Sequence, residues 1–155
     1  MNIAFVGLPS DQVRAAKTRG TDAYDLPIET HLSDGEAYPC RHCLGATPAG
    51  EDYLILAWKP FEGTTPYTET GPIFLCATAC DPADPSDKVP DILRSDQYLV
   101  RAYSPDERIV YGTGRVVQTS QIAAYARDLL RDPAHAFVDI RSAANNCFQC
   151  RVHRA

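Results

Sequence analysis

Six cysteines stand as three close pairs in this chain of 155 residues: Cys40 with Cys43, Cys76 with Cys80, and Cys147 with Cys150. Scattered core thiols rarely fall in such pairs, so the spacing points to metal ligation or redox chemistry. The most informative stretch is Cys40-Arg41-His42-Cys43, followed by Gly45 and by Pro48-Ala49-Gly50 before an apolar run begins. A Cys-x-x-Cys on a tight turn lets two thiolates converge on one tetrahedral ion, and Gly45 gives the chain freedom to bend back. This is the outline of a zinc knuckle. A thioredoxin-like redox motif needs a helix running on from its second cysteine, which Gly45 and Pro48 forbid.

One knuckle supplies two of the four ligands that a structural zinc site requires. Cys76 and Cys80 follow the apolar Ile73-Phe74-Leu75 and can return alongside the knuckle through residues 60–71. The expected cofactor is therefore a structural zinc on Cys40, Cys43, Cys76 and Cys80. Cys147 and Cys150 have the better knuckle spacing but lie far off in sequence; they are the alternative second pair, or else reactive thiols. Cys76 also reads as a core residue continuing a strand, whereas Cys80 before Asp81-Pro82 does not. His42 is expected at the surface, in preference to a role as an orienting donor or a ligand.

Other residues give weaker signals. Arg141 lies close in sequence to Cys147, and a cation beside an exposed thiol favours the thiolate. A thiol-dependent enzyme or redox protein using Cys147 or Cys150 is thus the alternative function. Only Arg151 to Ala155 follow Cys150, too few for the helix of a thioredoxin-type site. A weaker alternative is a small-anion or nucleotide binder using Arg101, Tyr111 and Arg115 beside Gly112-Thr113-Gly114. That stretch lacks the third glycine and the following helix of a phosphate loop, so it reads first as a turn between strands. His31, His135 and His153 show no metal spacing.

The elements that must position these residues follow from apolar periodicity and turn chemistry. A strand over 2–8 leads through Pro9-Ser10-Asp11 into a helix over 12–19, closed by Gly20. Residues 21–39 read as a long loop. Tyr53 to Trp58 is an unbroken apolar run whose length suits a central strand, and Pro72 to Leu75 is a second, shorter one. Strands at 97–103 and 108–111 flank Ser104-Pro105-Asp106-Glu107 and predict a hairpin. Residues 115–118 read as a further strand, Thr119-Ser120 as the cap of a helix over 121–131, and 136–140 as a last strand before a short tail. Strands in the middle with a helix near each end predict a single α+β domain over 1–155, built on a mostly antiparallel sheet.

Composition narrows the function. The 45% hydrophobic content is enough for an ordinary core. With 15 Lys and Arg against 20 Asp and Glu the net charge is −5, which disfavours nucleic acid and anionic membrane as partners. The longest apolar run, six residues, cannot cross a bilayer. The N-terminus has neither the charged nor the apolar region of a secretory signal, so a cytoplasmic protein is expected. In that compartment metal binding is favoured over structural disulfides.

Finally, Pro39-Cys40-Arg41-His42-Cys43-Leu44, Gly71 to Leu75, Arg108 to Arg115 and Asn146-Cys147-Phe148-Gln149-Cys150-Arg151 together resemble a bacterial family, the domain of unknown function 1203. The resemblance spans nearly the whole chain. It implies a compact single-domain bacterial protein and assigns no catalytic residue or ligand. The expected function is a zinc-stabilised binding or interaction module with a protein or small-anion partner.

Overall fold

The computed structural model describes residues 1–155. Strand β1 (Ile3–Val6) and helix α1 (Ser10–Arg19) open the chain, followed by β2 (Glu29–Leu32), β3 (Asp52–Trp58) and β4 (Gly71–Cys76). Then come β5 (Gln97–Tyr103), β6 (Arg115–Gln118), helix α2 (Ile122–Leu129), β7 (Phe137–Ser142) and β8 (Phe148–Arg154). Two sheets form, ordered β1-β8-β7-β5-β6 and β2-β3-β4, with antiparallel pairing throughout. The expected α+β class holds.

Helix α1 shows why local chemistry suffices where it does. Gly20 ends it in the left-handed region at φ 74°, its N–H returning to the Ala16 carbonyl. Asp11 in the first turn and Lys17 and Arg19 in the last complement the helix dipole. Val13 and Ala16 are buried against Leu54, Leu56 and Trp58 of β3 and Ile73 and Leu75 of β4, forming one apolar cluster. Leu54 pairs with Leu75 and Leu56 with Ile73, so alternate residues of both strands share that face.

The larger cluster lies between the five-stranded sheet and α2, where Ile122, Ala126 and Leu130 pack on Val100, Val138, Ile140, Cys150 and Val152. Across the sheet, Arg101, Asp139 and Arg151 occupy directly paired positions on the opposite face. There Phe61, Tyr103 and Phe137 make a third, small cluster.

Four expectations are corrected. Strand β2 lies inside the expected loop; all four of its side chains are exposed, so it has no apolar alternation to betray it and is held by pairing with β3. Residues 108–111 do not return as a hairpin strand, and only an isolated bridge joins Ile109 to Tyr103. The Thr113 hydroxyl instead accepts from the Ala102 N–H (3.1 Å), and β6 takes the edge of β5. Thr119 to Gln121 form a 3-10 turn with no side-chain cap before the shorter α2. Most consequentially, the expected tail is β8, which sits between β1 and β7. No helix is long and apolar enough to cross a membrane.

Candidate metal centre

Backbone geometry builds the knuckle first. The Cys40 N–H donates to the Gly45 carbonyl (2.8 Å) and the Leu44 N–H to that of Cys40 (2.9 Å), closing the turn. The residue in the left-handed region is Leu44, at φ 54°, and not Gly45. This conformation is costly for a branched side chain, and Leu44 is held in it by burial in the large core cluster. Cys40 bridges Phe74 in parallel, and the Arg41 N–H donates to the Phe74 carbonyl (3.0 Å). The knuckle therefore lies along the free edge of β4, whose last residue is Cys76.

This arrangement brings the Sγ atoms of Cys40, Cys43, Cys76 and Cys80 within 4.8 Å of one another. Cys40 lies 3.9 Å from Cys80, and Cys43 4.0 Å from Cys76. Four sulfurs at about 2.3 Å from a tetrahedral ion stand about 3.8 Å apart, so the group could hold a metal ion with little movement. Cys40 and Cys76 are buried and the other two are half-buried. Hydrogen bonds from Cys43 and then Cys76 hold the Cys40 thiol far below its ordinary range, while the bond to Cys40 pushes Cys43 far up. Burial, with the charge of Cys40, pushes Cys80 up to about 12. Four thiols this close thus share out protons that an ion would displace.

Two further side chains reach the sulfurs. His42 is buried, with Nδ1 3.2 Å from the Cys80 Sγ and Nε2 2.8 Å from the Ser10 hydroxyl. With Cys80 as thiolate, Nδ1–H donates to sulfur and Nε2 accepts from Ser10. His42 is therefore not the surface side chain expected from sequence, because α1 covers it. The Thr47 hydroxyl donates to the Cys76 Sγ (3.5 Å). Thr47 carries no signal in sequence, and Ser10, expected there as a cap of α1, makes no cap hydrogen bond and meets His42 instead. The end of β1 also packs on the knuckle, the Leu8 N–H donating to the Arg41 carbonyl (2.7 Å). A methyl group on Gly7 would overlap the His42 carbonyl oxygen and lie 2.9 Å from that of Arg41, so only glycine permits this approach.

The alternative second pair does not join the site. A register shift between Ile140 and Arg141 sets Cys150 opposite Ile140 but Phe148 opposite Arg141, leaving Gln149 as the extra residue. Cys150 thus faces the large core, where burial pushes its thiol far up, which leaves it poorly suited to attack. Cys147 precedes the strand and receives Arg41 Nη2 (3.9 Å) and Gln149 Nε2 (3.4 Å).

Nor do Arg101, Tyr111 and Arg115 form one anion surface. Arg115 pairs with Val100, whose side chain points to the α2 face, so Arg101, one residue on, lies on the other face. Arg115 covers the Tyr125 ring at 4.9 Å, Arg101 bonds Glu69 and Tyr103, and the exposed Tyr111 meets Tyr67. Of the remaining histidines, His31 stacks on Tyr53, His135 lies 2.7 Å from the Leu129 carbonyl, and His153 packs near Phe137.

No curated protein and no solved structure matches the chain. Residues 37–154, a span that holds all six cysteines, match the family described as Protein of unknown function (DUF1203), and the chain belongs to that family.

Proposed function

We propose that the protein is a cytoplasmic binding or interaction module whose fold is locked by one zinc ion on Cys40, Cys43, Cys76 and Cys80. The mutual approach of the four sulfurs to within 4.8 Å carries this reading. An all-sulfur tetrahedron selects zinc or iron among common ions. Four protein ligands leave no open position for water or substrate, so the role is structural.

Arg41 supplies independent support. It is 2% exposed, and its Nε and Nη1 donate to the Phe148 and Pro39 carbonyls (both 2.7 Å), with no carboxylate partner. Burial pulls its pKa down, and the nearby sulfurs, Cys147 foremost and Cys40 among them, oppose that pull. A buried cation is costly without nearby negative charge, and a four-thiolate zinc centre, formally −2, would add such charge through the adjacent Cys40.

Elemental analysis of freshly purified protein should find about one zinc per chain, with X-ray absorption showing four sulfurs near ~2.3 Å. Iron in its place would give a coloured protein. Metal-free protein with six freely titrating thiols would end the proposal. Removing the His42 ring should then weaken metal binding by about 10- to 100-fold, because Cys80 loses its donor. Competition between His42→Ala and a chromophoric chelator measures this, and unchanged affinity would show that the ring orients nothing.

A further inference from the structure

We infer that the cleft beside Cys147 binds a small molecule through an oxyanion head group, a carboxylate or phosphate, and presents it to the Cys147 thiol. The cleft, of about 330 Å³, is walled chiefly by Trp58, Glu69, Arg141, Asn145, Asn146 and Cys147. Its volume suits a small ligand.

Arg141 carries this inference. Its side chain is 6% exposed; Nε donates to the Asn146 backbone carbonyl (3.1 Å) and side-chain oxygen (3.2 Å), and Nη2 to Glu69 Oε2 (2.7 Å). Nη1 is buried and has no partner. Such groups are almost always satisfied, and a guanidinium can only donate, so an acceptor must complete it. Trp58 Nε1, on the same wall and on that of a neighbouring cleft, is also buried without a partner.

Charge points the same way. Glu69 is shared between Arg141 (2.7 Å) and Arg101 (3.3 Å to each oxygen), so two guanidinium groups face one carboxylate. The excess positive charge is matched by an anion, and a planar guanidinium suits an oxyanion best. Cys147 is half-buried at the rim, its sulfur fixed by Arg41 and Gln149. None of these contacts uses the four clustered thiols, so the cleft stands apart from the zinc reading.

Two alkylating reagents test it on the reduced, full-length protein, with the modified cysteine identified by peptide mass spectrometry. Iodoacetate carries a carboxylate and iodoacetamide does not. Relative to free glutathione, Cys147 should prefer iodoacetate by roughly tenfold, the scale of one charge-assisted hydrogen bond. Inorganic phosphate should slow Cys147 alkylation where chloride at equal ionic strength does not. Success of the first arm alone assigns a carboxylate head group, of the second a phosphate; either supports the site. Arg141→Gln should abolish the effect while retaining any bound metal, which separates this test from that of the zinc site. Should that variant not fold, Trp58→Phe, which removes the indole donor together with part of the ring, should reduce the preference while the protein stays folded by circular dichroism. A glutathione-like ratio together with no phosphate protection in the unsubstituted protein overturns the inference, as does a Cys147 inert to both reagents.

Discussion

Incubating the reduced protein with a strong chelator should lower its melting temperature by about 6–20 °C, and adding zinc back should restore it. A structural zinc contributes its binding energy to folding, on the order of 10 kcal/mol in small zinc domains. This chain keeps three apolar clusters of its own, so the ion need supply only part of its stability. In a domain of this size each kcal/mol moves Tm by about 2–4 °C, and a contribution of about 3–5 kcal/mol gives the stated fall. The same metal should leave on acidification. The ligands must be deprotonated to bind, so the stabilisation is complete at neutral pH and is lost as protons compete for the sulfurs. A chelator-resistant melting curve on protein shown to have lost its metal would remove the structural role.

The second large effect concerns Asp139 and Arg151, cross-strand partners on β7 and β8. Asp139 is fully buried, and Arg151 grips it with two hydrogen bonds, Nε to Oδ1 at 2.7 Å and Nη2 to Oδ2 at 3.0 Å. The same guanidinium lies 3.7 Å above the Phe137 ring and donates to the Pro60 carbonyl (2.7 Å). Arg151→Met strands a buried carboxylate and should cost about 3–5 kcal/mol in urea denaturation. Adding Asp139→Asn should recover part of that loss, because the uncompensated charge is then gone. If the double variant is instead as unstable as the two singles added together, the pair is not coupled and the cost lies in lost packing.

The four-cysteine site was legible because its signal is local: a Cys-x-x-Cys on a turn and a second pair just after an apolar strand. Chain reversal between Trp58 and Gly71 does the rest. His42 and Arg41 were visible but misjudged or passed over, since their burial depends on α1 and on Phe148, far away in sequence. In the fold, α1, β3 and β4 could be read from end chemistry and apolar runs. Strand β8 also carries a strand signal, the alternation of Phe148, Cys150 and Val152 with Gln149, Arg151 and His153, which a reading of residues 147–150 as a cysteine pair in a tail hides. Strand β2, exposed on all its side chains, had no periodicity to find.

The place of β8 between β1 and β7 also sets the order of events during synthesis. Residues 29–80, which hold the β2-β3-β4 sheet and all four clustered cysteines, emerge early and make mostly local contacts. The other sheet must wait for residues 148–154 before β1 gains its neighbouring strand, β8. At about 5–20 residues per second that interval lasts roughly 4–15 s, during which β1 lacks the strand that covers its edge. Closing a sheet from opposite ends of the chain is slow, non-local folding. An ion on the nascent knuckle, as proposed above, would give the growing chain a folded anchor while β1 waits for β8.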